Sequence, residues 1–332
     1  MWGEWLLIEC MRDEPTVLAI GRKPQRLQLL DRVLRNPTLQ AARRLTVKVR
    51  ETGHAWEENC ADRHTHFVAE PVRNLAGDIH GVRIWTGSPD THVPEAPRSS
   101  AFDWNLDAMT ALLTEETYDL HAVAPDRRRP EISRASAMRW MAYAEDQGTV
   151  LALAAEADEH TVYHDIWQIL RDDGVRRDVH FCARGAIVDG QRFARGLMID
   201  ISEGRDIPAP APALTFSRAA LEAELSVPGI HHALVDLDTL TAHHWLGAPM
   251  PGIAWELSDD PDRNPALHPD DIPTARAMAR DLHTAPTTAR LRLRNTDGGW
   301  TFVEVEAKRV LLTQNPDRAA ALVSVSRTAA NG

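Results

Sequence analysis

The chain has 332 residues, 43% hydrophobic and 26% charged, with a formal net charge of −11. That length suggests two or three domains of about 100–200 residues each, and the composition is that of a globular protein with buried cores. The acidic balance disfavours general nucleic-acid binding, which needs clustered positive charge to displace counterions. No stretch approaches the roughly 18 apolar residues of a membrane helix.

The three cysteines, Cys10, Cys60 and Cys182, are far apart, odd in number and form no CxxC. A disulfide framework is not expected, and a reducing cytoplasm fits. The apolar run after Glu4 is broken by Glu9 and has no basic leader, so it does not read as a signal peptide.

Residues 1–97 read as a first domain. "WLLIEC" and "TVLAI" are expected strands, and "PQRLQLLDRVLRN" is an expected helix with Leu27, Leu30, Val33 and Leu34 in one stripe. "RLTVKVRET", "THFVAEPV" and "IHGVRIWTG" read as three further strands. Residues 99–205 form a second unit. "AFDWNLDAMT" is an expected strand, and "SRASAMRWMAYAED" and "HTVYHDIWQILRDDG" are expected helices. "VRRDVHFCARGAIVDG" and "QRFARGLMIDIS" follow as strands, with Asp189-Gly190 as the hairpin signal.

Alternating Pro and Ala over 206–214 mark a semi-rigid linker. Residues 215–328 are the third unit. "FSRAALEAEL" is a short expected helix, "HHALVDLDTLTAHHWLG" a strand pair and "HPDDIPTARAMARDLHT" a helix. "TTARLRLRN", "GWTFVEVEAKRVLL" and "RAAALVSVSR" are strands, the first two joined by Asp297-Gly298-Gly299. The second and third units share one order of elements, and the first is a looser version.

The third unit resembles a PAS domain. The resemblance is carried by "HPDDIPTARAMARDL", the "DG" turn, the aromatic-Val-Glu-Val pattern in "WTFVEVEAKRV", whose aromatic is Phe302, and "AAALVSVSR" as last strand. The second unit lacks the HPDD string and resembles a PAS domain by element order and its ending "RGLMIDIS". The first resembles a reduced GAF or PAS domain. As a whole the chain looks like an actinobacterial triple sensor-domain protein of GAF-PAS-PAS layout. The resemblance implies an α+β fold of three sensor-type domains, each a small antiparallel sheet with flanking helices. It implies signal sensing and protein interaction, not catalysis. Six residues follow Ser326, so the output is expected to run through a separate effector protein.

In HPDD, Asp270 or Asp271 is expected to cap the helix, accepting the free N–H groups of its first turn, with Pro273 inside that turn. Arg290, Arg292 and Arg294 alternate with leucines, and Glu304 and Glu306 with valines. One basic row is expected to face one acidic row, a solvated sheet face or a docking surface. Cys60, His64 and His66 have ligand chemistry but lack a clear fourth partner. His160 and His164 stand one turn apart if their segment is helical, a surface or capping pair for want of another ligand.

Trp104, Trp140, Trp167, Trp245 and Trp255 are the ligand-pocket candidates, since aromatics suit an apolar ligand and equally a filled core. The chain has no GxGxxG, GxxxxGK, HExxH or GxSxG. No cofactor is indicated, and neither a catalytic nor a metal residue is assigned. The expected function is a non-enzymatic cytoplasmic sensor or scaffold, binding a small apolar ligand or a partner protein. The alternatives are an enzyme of undetected type and a structural adaptor with filled cores.

Overall fold

A computed structural model of the chain describes residues 3–60, 64–141, 150, 153–154, 156–202, 227–311 and 319–328. The chain opens with a meander of β1 (Trp5–Glu9), β2 (Thr16–Ile20) and β3 (Lys23–Leu29). Then come α1 (Leu30–Val33) and α2 (Thr38–Thr52). A second meander follows, β4 (Trp56–Cys60), β5 (Thr65–Arg73) and β6 (Ile79–Gly87). β6 returns beside β1, so the sheet order is β3-β2-β1-β6-β5-β4. Leu6, Ile8 and Val17 pack with α2, while Leu7 and Leu18 belong to a cluster on the other side. Burial on both faces is why these two strands are continuous apolar runs rather than alternating ones.

Two expectations fail here. "RLTVKVRET" is not a strand but the second half of α2, whose buried Leu39, Ala42, Leu45, Thr46 and Val49 form a helical stripe. The helix ends at Gly53 (φ 72°), whose N–H bonds Val49 O, a left-handed stop that glycine adopts freely. "PQRLQLLDRVLRN" is not one helix but β3 followed by the single turn of α1.

The second sheet contains β7 (Ser99–Asn105) and β8 (Thr110–Leu113), followed by α3 (Glu115–Leu120). β9 (Glu131–Ser133) and α4 (Arg134–Met138) come next. β10 (Val162–Leu170), β11 (Arg176–Val188) and β12 (Gln191–Asp200) complete it. The order is β10-β11-β12-β7-β8-β9. "HTVYHDIWQILRDDG" is therefore the edge strand β10, not a helix, and His160 and His164 do not share a helical face. Of "SRASAMRWMAYAED", α4 covers the start, and residues 142–149 lie outside the described residues. Asp189 and Gly190 both have positive φ, 50° and 78°, as a two-residue type I′ hairpin requires.

The third sheet contains β13 (Ile230–Asp236) and β14 (Ala242–Leu246), followed by α5 (Ile272–Asp281). β15 (Thr287–Arg294), β16 (Trp300–Leu311) and β17 (Ala319–Arg327) follow, in the order β14-β13-β17-β16-β15. The linker 206–214 and "FSRAALEAEL" lie outside the described residues. Strand pairing is antiparallel throughout, giving a multi-domain α+β fold of three sheets with few helices. In each sheet the first strand lies beside the last. The repetition seen in sequence for two units extends to all three.

The sheets are fastened to one another in chain order. Leu7, Leu18, Ala19 and Val72 of the first pack against Ala101, Cys182, Leu197 and Ile199 of the second. Approach there is close: a Cβ on Gly81 would fall 2.7 Å from Leu197 Cδ2. The fully buried Glu9 accepts hydrogen bonds from Thr16 Oγ1 (2.8 Å), Met11 N (2.7 Å) and Arg184 Nη2 (2.6 Å). The second and third sheets meet through α4 and β14. Leu234 packs on Met138 and Met141, and Ser133 Oγ donates to Trp255 O at 3.2 Å. Arg139 pairs with Glu256, and Arg129 with Asp259, each at 3.2 Å. No described helix is long and apolar enough to cross a membrane.

Candidate functional site

Between α5 and the inner face of the third sheet lies a cavity of about 490 Å³. Its floor is made by alternate residues of β15, β16 and β17: Leu291, Leu293, Val305, Ala307, Ala321 and Val323. Period-2 alternation puts these inside and the charged residues of the same strands outside. α5 contributes Ala275, Met278 and Ala279, at helical spacing. The space exists because Ala233, Ala242, Ala275, Ala279, Ala307 and Ala321 stand on the wall where larger side chains would meet.

The second domain closes one side. Ala108, Met109, Thr110 and Ser133 line the same cavity. Beside them Arg134, only 2% exposed, has its guanidinium against Met109 Sδ, and its Nη2 donates to His243 Nδ1 at 2.5 Å. His243 Nε2 faces Asp236 Oδ2 at 3.4 Å. Burial lowers the Arg134 pKa to about 10, with Asp236 opposing. Burial also lowers His243, so a neutral imidazole relays between a cation and an anion. Burial pushes the Asp236 carboxyl up, but the His243 ring 3.4 Å away and the hydrogen bond from the Thr239 N–H outweigh it and hold Asp236 well below the usual carboxylate range. Neither Arg134 nor His243 carries a sequence signal, because the pair forms only when two domains meet.

The five tryptophan candidates divide between two interiors. Trp245 and Trp255 line the large cavity. Trp104, Trp140 and Trp167 lie in the second domain, where aromatic rings fill the corresponding space. Trp167 and Phe181 have ring centroids 3.8 Å apart, and Tyr163 and Phe181 5.6 Å. Trp140 packs on His121 at 4.3 Å and donates to Asp172 at 2.9 Å. The spaces left there are about 70 Å³ each.

HPDD sits outside the cavity and is not a helix cap in the expected sense. No side chain caps α5: Asp271, at its N-cap, makes no cap hydrogen bond. His268 Nδ1 instead accepts from the Asp270 N–H at 3.2 Å. Asp271 reaches across to β15, where Arg292 gives it a backbone N–H and two guanidinium contacts.

The charged rows on β15 and β16 also differ from expectation. Arg290 is opposite Glu304, but Arg292 is opposite Phe302 and Arg294 opposite Trp300. The guanidiniums of Arg290 and Arg294 lie over the rings of Phe302 (4.3 Å) and Trp300 (3.9 Å). Glu306 pairs with Lys308 at 3.1 Å. The face is a cation–aromatic ladder with acidic residues beside it.

His66 pairs with Glu57 at 2.8 Å and His64 with Asp90 at 3.1 Å. Among the described residues no group of three potential metal ligands comes together. Cys10, Cys60 and Cys182 are free thiols, and burial pushes Cys10 up to about 12.

Residues 4–95 match the family model described as Rv3651-like, N-terminal, and residues 217–331 match the Rv3651-like, C-terminal domain. The chain is Rv3651-like at both ends. The first sheet lies within one match and the cavity-bearing third sheet within the other. Among solved structures, the crystal structure of an uncharacterized protein from Mycobacterium tuberculosis is similar to this chain. Its TM-score is 0.82 at 26% identity, over 99% of this chain and 97% of that one. A sensory box histidine kinase/response regulator from Burkholderia thailandensis matches at TM-score 0.26 and 16% identity, over 31% of this chain and 77% of that one. An RNA-binding light-oxygen-voltage receptor matches at TM-score 0.27 and 9% identity, over 69% and 95%. Likenesses this slight carry no argument. No curated protein matches.

Proposed function

We propose that the chain is a non-enzymatic cytoplasmic sensor of GAF-PAS-PAS type, in which the third domain holds a small apolar ligand. A separate effector protein receives the signal. The observation that carries this reading is the cavity of about 490 Å³ with a wall built by two domains. That volume falls in the range of small-molecule sites, about 300–1,000 Å³, and apolar lining is their usual character. The strand order repeated in all three sheets supports a chain of related modules.

A ligand shifts a domain arrangement only if it binds one arrangement better than another. Here Met109, Thr110 and Ser133 of the second domain touch the space the ligand would fill. Occupancy therefore bears directly on the contact between domains, and the Arg134–His243–Asp236 relay stands beside it. The Arg290–Phe302 and Arg294–Trp300 ladder is the surface offered for the effector.

The reading is tested by thermal melting of the full chain against a panel of uncharged apolar compounds. Binding to the folded state alone raises the midpoint by mass action. A concentration-dependent rise with some members supports the sensor. No rise with any member supports the adaptor instead. Turnover of a panel member would support an enzyme.

A further inference from the structure

The cavity wall is mainly apolar, and its polar groups restrict what can fill it. Trp245 lines the cavity at 8% exposure, and its indole N–H is buried with no acceptor among the described residues. Thr110 lines the same cavity from the second domain, and its hydroxyl oxygen is likewise buried and has no partner among the described residues. Buried donors in native proteins nearly always find acceptors. Trp5 donates to Pro94 O and Trp140 to Asp172, each at 2.9 Å; Trp85 and Trp167, like Trp245, have no acceptor among the described residues, but of these three only Trp245 lines the large cavity. Trp245 is on the wall of a cavity whose volume, about 490 Å³, suits a small molecule that could supply an acceptor.

The same wall argues against a charge inside. Among the described residues Arg276 is the only charged one on it. Arg276 is exposed, and its Nη1 is engaged by Leu237 O at 3.3 Å and by Asp238 O. An ion taken deeper would lose its hydration with no opposite charge on the described wall to replace it.

We propose that the occupant is an uncharged apolar molecule carrying a carbonyl oxygen, a ketone or ester. That oxygen accepts the Trp245 Nε1–H, and the Thr110 hydroxyl is a further donor on the same wall. Such an oxygen has two lone pairs and asks for no proton in return. This assignment rests on the ligand-sensor reading of the cavity and adds the chemistry of the ligand. Because Thr110 belongs to the second domain and Trp245 to the third, a ligand using both would tie the two domains together.

Three probes of matched size separate the possibilities: 2-acetylnaphthalene, 2-ethylnaphthalene and 2-naphthoate, titrated into the full chain by calorimetry. The ketone is expected to bind about tenfold tighter than the hydrocarbon, the worth of one buried hydrogen bond, and tighter than the anion. In Trp245→Phe the ratio of ketone to hydrocarbon affinity should fall several-fold, whatever happens to the hydrocarbon's own affinity. Thr110→Val, in the other domain, provides an independent variant should Trp245→Phe fail to fold, and should narrow the same gap. Equal affinity of ketone and hydrocarbon for the native chain would overturn this assignment and leave the cavity reading standing. Tightest binding of the anion would also overturn it. If none of the three binds, the cavity reading falls, and the assignment with it.

Discussion

Asp271 clasps Arg292 across the gap between α5 and β15. One carboxylate oxygen accepts the Arg292 backbone N–H at 2.7 Å and its Nε at 3.0 Å, and the other accepts Nη2 at 2.7 Å. Asp270, by contrast, reaches the same guanidinium only at 3.5 Å and is largely exposed. HPDD is thus a latch between helix and strand at the edge of the cavity-bearing sheet.

Asp271→Ala is expected to destabilise by about 1–2 kcal/mol, the scale of charge-assisted hydrogen bonds partly open to water. Asp270→Ala should cost less than about 0.5 kcal/mol, as an exposed pair does. The Arg292 hydrogen bonds hold the Asp271 carboxyl below its ordinary value of 3.8. A lowered acid pKa gives stability that is present above that ordinary value and is lost as pH falls through the folded one. The gap between native chain and Asp271→Ala should therefore close in urea titrations carried below pH 4. Equal effects of the two substitutions would refute the latch.

Glu9 carries a heavier load. Its carboxylate is fully buried and joins the first sheet to Arg184 of the second. Removing one member of a buried pair strands the other, at a cost of about 3–5 kcal/mol. Glu9→Ala should lower the melting point strongly, and Arg184→Ala by a similar amount. The double variant should cost less than the sum of the two, as partners in one network do. Strict additivity would show that the two do not act as a pair.

Acid should weaken the fold well before its carboxylates titrate. Burial holds His80, His121, His180, His243 and His244 below the ordinary 6.5, with His121 and His244 down to about 4. The unfolded chain takes up these protons first. The stability is therefore complete above pH 6.5 and is lost as pH falls toward 4. The urea midpoint should drop steadily from pH 7.5 to pH 5 at constant slope. A flat midpoint over that range would contradict the buried, neutral assignment.

Much of the fold was legible where local pattern and tertiary burial agree. The β13–β14 pair, α5 and the β15–β17 meander lie where alternation and turn residues predict them. The failures have physical reasons. In "RLTVKVRET" the alternating valines suggest a strand, but the governing stripe begins upstream at Leu39 and runs at helical spacing to Val49. In "HTVYHDIWQILRDDG" Val162, Ile166 and Leu170 mimic a helical face. β10 is an edge strand whose Ile169 points inward while those three stay exposed, and its β-branched and aromatic content was the better guide. Trp245 and Trp255, singled out by type, stand on the wall of the cavity. The cavity itself was not, because alanines at 233, 275, 279, 307 and 321 converge only in three dimensions. Thr110 and Arg134 reach the site from another domain, which no local window shows.

Filling the cavity should separate stability from binding. Ala279→Leu and Ala307→Leu put branched side chains into the space between α5 and the sheet. Where there is room, such additions stabilise; where there is none, overpacking costs about 1–3 kcal/mol. An unchanged or raised melting point for these variants is expected. A fall of that size would mean the interior is already filled.

Native mass spectrometry of the full chain from its own host, beside the Ala279→Leu/Ala307→Leu variant prepared identically, tests the central claim most directly. A sensor with an open third domain should carry a small-molecule adduct in the native chain, and the filled variant should fly bare. An adduct kept equally by both, or a native chain that is bare and unmoved by any apolar compound, would contradict it.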